Sequence, residues 1–139
     1  MLGLARGGPK DGVSAAVRVA ARDGGAHRLV VLSSAGVHTE HDPGLVSGLA
    51  MVALFKLAAG PVLADAERAY RELQANGGDR EWVFVRAPRL TERPRTGVYR
   101  TGYLHLDPRQ SISRAEVADF MLRELTNDAY ARRAPIASY

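Results

Sequence analysis

The sequence contains no cysteine, which excludes a disulfide framework and thiolate chemistry. Aromatic residues make up 6%, too few for a stacking platform on single-stranded nucleic acid. Lysine is nearly absent. With only Lys10 and Lys56, arginine carries almost all the positive charge, which suits bidentate recognition of anions and equally suits a biased base composition. The net charge is +4, but the 19 basic residues are interspersed with 15 acidic ones, so no basic face for nucleic acid is expected. No hydrophobic run is long enough for a bilayer. The longest, Leu45 to Ala59, is interrupted by Lys56, closed by Gly60-Pro61, and short of the roughly 20 residues a span needs. Met1 to Pro9 has no apolar core of leader-peptide length, so a soluble, cytoplasmic protein without a membrane partner is expected. His38-Thr-Glu-His41-Asp42 holds metal-capable side chains, but no third ligand follows at a familiar spacing and no metal site is expected.

With 139 residues and 46% hydrophobic content, the chain can bury one core, and residues 1–139 are read as one domain. Helix and strand signals alternate. Val13 to Arg22 places Val13, Ala16, Val17, Ala20 and Ala21 on one stripe, and Gly24-Gly25 ends it. Arg28 to Leu32 is continuously apolar and branched, the pattern of a strand buried on both faces. Leu45 to Ala59 reads as a helix on the sheet or a lid. A second helix is expected from Leu63 to Ala75, stopped by Asn76-Gly77-Gly78, and then a buried strand at Trp82 to Val85. Two such strands joined through a helix make a right-handed crossover, so the sheet should be parallel. Val98 to Thr101 alternates and reads as a half-exposed antiparallel arm. Ser113-Arg-Ala-Glu116 fits a capping box, with Ile112 and Val117 as its staple, opening a helix of about 14 residues whose Val117, Phe120, Met121 and Leu125 face the sheet. Asp65 and Glu67 are placed in the first turns of their helix, where carboxylates favour the dipole.

In an open parallel sheet, ligands bind beyond the carboxyl ends of the strands. Ser33-Ser34-Ala35-Gly36 and Arg86-Ala87-Pro88-Arg89-Leu90 occupy those ends. The serines either admit a flat ring or ribose close to the backbone or simply cap the strand. Arg86 and Arg89 either clamp a phosphate or form surface ion pairs with Glu81 or Glu92.

Four spaced segments, HRLVVLSSAGV, VLADAERAYRELQANGG, EWVFVRAPRLTERPRTGVYR and ISRAEVADFMLRELTNDAY, cover nearly the whole chain. In that order they resemble the NAD(P)H-binding atypical short-chain dehydrogenase/reductase proteins, above all the biliverdin reductase B and flavin reductase group. The resemblance implies an α/β fold: the C-terminal part of a Rossmann-like parallel sheet flanked by helices, with the N-terminal strands missing. It implies NADP or NAD as cofactor and a small ring compound, a flavin or tetrapyrrole, as substrate. Leu2 and Gly3 match a Leu-Gly pair at the end of the family's fourth strand, with Arg6 in the turn after it. Ser33, Ser34 and Ala35 match the segment lining the nicotinamide. Pro88, Arg89 and Leu90 match the loop over the nicotinamide ribose and ring, and Thr96-Gly97-Val98-Tyr99 matches a structural signature.

Two departures shape the expectation. The family opens with a βαβ unit whose Gly-rich turn holds the pyrophosphate, and Gly3, Gly7, Gly8 and Gly12 do not reproduce that spacing. The Tyr-x-x-x-Lys pair of the classical enzymes is also missing, since Gln74 stands four residues after Tyr70. The catalytic residues are therefore unassigned, and hydride would pass directly from nicotinamide to the ring, with the proton from solvent or substrate. A sheet without its first strands would expose a hydrophobic edge, giving marginal stability and self-association. NADPH would bind at least about a hundredfold more weakly than in a complete homologue, roughly 2.7 kcal/mol, without turnover. Such a chain would be a truncated product, one whose start is assigned too late, or one piece of a split protein. The alternative is a non-catalytic NAD(P)-sensing or partner-binding module.

Overall fold

The computed structural model describes residues 12–23, 25–43, 49–105, 107 and 109–139, with backbone alone for 21–23 and 49–59. In chain order the elements are α1 (Gly12–Asp23), β1 (Arg28–Ser34), α2 (Leu49–Asn76), β2 (Glu81–Ala87), β3 (Arg89–Thr91), β4 (Arg100–Gly102), β5 (Ser111–Ser113), α3 (Arg114–Arg123) and β6 (Ile136–Ser138). A four-stranded sheet runs β1-β2-β6-β4, and β3 pairs with β5 in a small second sheet. β1 and β2 are parallel from Arg28↔Glu81 to Ser34↔Ala87, as expected of strands joined through a helix. β4 is antiparallel to β6, so the arm expected at Val98 to Thr101 forms at Arg100–Gly102.

β2 divides two packed cores by simple alternation. Trp82 and Phe84 point to one face, where Val17 of α1 and Leu63, Ala66, Ala69, Tyr70 and Leu73 of α2 cover them. Val83, Val85 and Ala87 point to the other, against Ile112, Val117, Phe120 and Ala137. The result is a sheet with α1 and α2 on one side and α3 on the other.

Several local expectations change. One helix, α2, replaces the two expected on either side of Gly60-Pro61: it runs 28 residues straight through Pro61. Pro61 is exposed, so its missing N–H and its ring disturb a solvent-facing turn, and the packing of Leu63, Ala66, Tyr70 and Leu73 carries the helix past it. α2 does stop at Asn76. Gly77 is pressed against the Leu73 carbonyl and the Trp82 ring, leaving no room for a Cβ, and Gly78 takes φ +55°. β1 is half-buried along all seven residues, not sealed on both faces, because among the described residues only β2 flanks it. α3 is 10 residues long, shorter than expected, and Leu125 lies beyond it and is exposed.

The capping box is half formed. Ser113 Oγ accepts from the Glu116 amide at 3.1 Å, but Glu116 Oε1 accepts from Thr96 N, Thr96 Oγ1 and Gly97 N at 2.5, 2.7 and 2.9 Å. Burial pushes the Glu116 carboxyl up, yet these bonds outweigh it and hold the group below its ordinary range. The Thr96-Gly97 signature is thus pinned to α3. Tyr99 joins the same arrangement by donating to Asp119 at 2.9 Å.

Candidate functional site

The carboxyl ends of β1 and β2 stand side by side. Ser33 lies opposite Arg86 and Ser34 opposite Ala87, and the Ala35 amide extends the ladder by donating to the Ala87 carbonyl at 2.9 Å. Pro88, Arg89 and Leu90 follow directly, so the structure brings the segments Ser33–Ala35 and Pro88–Leu90 together at one end of the sheet. Leu90 shares a cavity of about 130 Å³ with Leu32, Arg114 and Val117. Arg89 is exposed at this rim. Leu2, Gly3 and Arg6 lie outside the described residues.

The two serines differ. Ser34 Oγ accepts from the Gly36 amide at 3.1 Å and so shapes the turn that ends the strand. Ser33 Oγ is buried without a hydrogen-bond partner among the described residues.

Arg86 is not a phosphate clamp. It is wholly buried and its donors are committed: Nε to Ala134 O at 2.8 Å, Nη1 to Val37 O at 2.7 Å, and a two-pronged pair to Asp42 at 2.7 and 2.6 Å. Neither carboxylate expected as its partner is used, because Glu81 pairs with Arg28 and Glu92 with Arg114. What Arg86 does is fix the loop after β1. Burial pushes the Asp42 carboxyl up, but bonds from Arg86 and from the Thr39 amide hold it below its usual range.

The loop fixed in this way carries His38, whose Nδ1 lies 3.0 Å from Asp42 Oδ2, and His41, whose ring sits 5.3 Å from that of Tyr103. Between the loop and α2 opens a cavity of about 250 Å³, lined by residues 37–40 and by Glu67, Tyr70, Arg71 and Gln74. Burial first, and then Glu40, push the Tyr70 hydroxyl up to about 12, so it stays a neutral donor. Asp65, one turn earlier on α2, is in mid-helix and caps another helix instead of its own. Its carboxylate accepts from Val13 N at 2.9 Å, Ser14 N at 3.3 Å and Ser14 Oγ, closing the first turn of α1.

The Arg86–Asp42 pair was missed because its members are 44 residues apart and Asp42 sits in a Pro-Gly loop. One signal was legible: an arginine inside Trp-Val-Phe-Val-Arg-Ala of a sealed strand must find a buried partner.

The sequence matches the NAD(P)H-binding family over residues 2–128. No curated protein matches it. The crystal structure of a Burkholderia pseudomallei protein described as exported superimposes with a TM-score of 0.69 and 26% identity, covering 94% of this chain and 66% of that one. This chain therefore spans just under two thirds of that relative's length.

Proposed function

The chain belongs to the NAD(P)H-binding family, and from that premise we propose that it forms the nicotinamide-facing wall of a dinucleotide cleft in a reductase of flavins or similar ring compounds. The observation that carries this reading is the parallel β1–β2 pair, whose carboxyl ends set Ser33, Ser34 and Ala35 beside Pro88, Arg89 and Leu90. Small side chains at Ser33 to Ala35 let a flat nicotinamide approach the backbone. Arg89 at the rim suits the ribose phosphate side, and Leu90 faces the ring. Leu2, Gly3 and Arg6 are assigned to the same cofactor, which is NADPH or NADH. The nicotinamide supplies the hydride, and the residues of this chain position it and exclude water from one side.

Calorimetry with NADPH and NADH, followed by stopped-flow absorbance with FMN or biliverdin as acceptor on a version of the chain extended upstream, tests the reading. A reductase consumes the reduced cofactor, whereas a chain that binds it without consuming it is a nucleotide sensor. Absence of binding to either cofactor defeats both. Ala35→Trp, which fills the strand end, should weaken binding by about a hundredfold, roughly 2.7 kcal/mol.

Two further parts of the reading concern setting. Self-association through an exposed sheet edge belongs to the same reading, and light scattering across a dilution series tests it. Among the described residues no helix is long and apolar enough to cross a membrane. The location proposed is the cytoplasm, and fractionation of the native host decides between it and export.

A further inference from the structure

The cavity of about 250 Å³ draws its walls from two elements: residues 37–40 of the loop after β1, and Glu67, Tyr70, Arg71 and Gln74 of α2. None of Ser33, Ser34, Ala35, Pro88, Arg89 or Leu90 lines it, so it shares no residue with the proposed cofactor wall. The loop wall is held in place. Arg86 grips both oxygens of Asp42, the Thr39 amide donates to Asp42 Oδ2 at 2.8 Å, and His38 Nδ1 lies 3.0 Å from the same oxygen. In the neutral tautomer that gives its Nδ1–H to Asp42, the Nε2 atom of His38 is an acceptor.

The lining is rich in acceptors. Glu40 on the loop and Glu67 on the helix set a carboxylate on each wall, and Gln74 and His38 add neutral acceptors. Arg71 brings a positive charge. Glu67 and Arg71 stand four residues apart on α2, a spacing that favours a bridge, yet among the described residues neither has a partner, which leaves both for an occupant. Tyr70 adds an aromatic ring, to which cations are attracted. Thr39, only 5% exposed, places in the loop wall a buried Oγ1 without a partner among the described residues. Such a hydroxyl costs free energy until a bound group answers it. The space lies just below the roughly 300–1,000 Å³ of drug-sized pockets, so its occupant is a small molecule.

We propose that this cavity binds a basic α-amino acid, with its two cationic groups on Glu40 and Glu67 and its carboxylate on Arg71. Two negative charges and one positive on the protein complement two positive and one negative on such a ligand, so each charge finds an opposite. The methylene stem lies against Val37 and the Tyr70 ring. A dicarboxylate or a nucleotide is repelled by the same two glutamates, and a neutral amino acid leaves one of them unpaired. The inference does not rest on the reductase reading, since binding here needs no nicotinamide and includes no chemical step.

The probe is L-lysine, titrated into the whole chain by calorimetry and into protein labelled with ¹⁵N at histidine. The expected result is saturable binding in which the His38 ring resonances shift while those of His27 and His105 stay unmoved. L-Norleucine keeps the carbon chain of lysine without its terminal ammonium, and cadaverine keeps both amines without the carboxylate; each should bind about tenfold more weakly than lysine. Glu67→Gln should weaken lysine about tenfold, and Arg71→Gln should weaken lysine about tenfold while sparing cadaverine, which has no carboxylate to lose. Arg71 is exposed and Glu67 half-buried, so these substitutions leave the fold intact, and the ligand series on the unaltered chain needs no variant. No saturable binding in the millimolar range, a silent His38, or equal affinity for lysine and norleucine overturns the proposal. So does an Arg71→Gln variant that loses lysine and cadaverine equally.

Discussion

β1 and β2 run side by side over seven residue pairs, yet β2 is sealed from Trp82 to Ala87 while every residue of β1 is half-buried. Composition does not account for the difference. Each strand contains one arginine, and β1 has the apolar run Leu-Val-Val-Leu to match Trp-Val-Phe-Val of β2. Neighbours account for it: β2 has β1 on one edge and β6 on the other, with a packed cluster on each face, whereas β1 has β2 alone among the described residues. A strand's exposure is decided by what lies beside it, and the charge inside β2 is tolerable because four acceptors surround it.

The largest test of that contrast is Arg86→Met. If Asp42 and the carbonyls of Val37 and Ala134 are its true partners, removing the guanidinium strands a carboxylate with 8% side-chain exposure and should cost about 3–5 kcal/mol in urea unfolding. A loss below about 1 kcal/mol would place the pair on the surface. Next in size is a matched truncation at Val83 and Val30, which face each other across the ladder. Val83→Ala should cost about 2–3 kcal/mol and Val30→Ala about 1 kcal/mol, read from the same midpoints. Equal losses would mean that β1 is as sealed as β2. Third, Asp65→Ala removes the acceptor for the first turn of α1 and should cost about 1–2 kcal/mol, with faster amide exchange confined to Val13 and Ser14.

The smallest effect separates two buried glutamates on the α3 side. Glu116 is held below its ordinary range by bonds from Thr96 and Gly97 that outweigh its burial, whereas burial pushes Glu124 up, with Arg28 and Asn127 offsetting only part. The signs are opposite. Glu116 contributes stability that is present above the unfolded-state carboxylate range and is lost as pH falls through its depressed value. Glu124 costs stability when ionised, and that cost is relieved as pH falls through its raised value. Glu116→Gln should therefore flatten the acid limb of a stability profile, and Glu124→Gln should raise stability near neutrality. Identical profiles for the two variants would remove the distinction.

Much of the fold was legible because it is written in local periodicity. The stripe of Val13 and Val17, the stop at Gly77, the parallel crossover and the cap at Ser113 all depend on neighbours a few residues apart. Errors arose where distant packing overrode a local rule. Pro61 reads as a break, yet the apolar face from Leu63 to Leu73 holds α2 together. Asp65 reads as a helix-start residue, yet it serves α1, 51 residues away. The segments Ser33–Ala35 and Pro88–Leu90 lie at adjacent strand ends, since any parallel pair must align its carboxyl ends. Arg86 was read as a phosphate clamp or as a surface ion pair with Glu81 or Glu92, neither of which is its buried pair with Asp42, and the His38–Asp42 contact was not read at all.

By itself, then, the sequence determined where α1, β1, β2 and the start of α3 lie, that β1 and β2 are parallel, and which strand ends meet, because spacing and chain connectivity leave few alternatives; the short strands β3, β5 and β6 carry no such local signal. Only the tertiary structure decided how the charges are spent: Arg86 on Asp42, Asp65 on α1, Glu116 on the Thr96 turn. A buried charge takes whichever partner the fold brings within about 3 Å, and sequence distance carries no record of that choice.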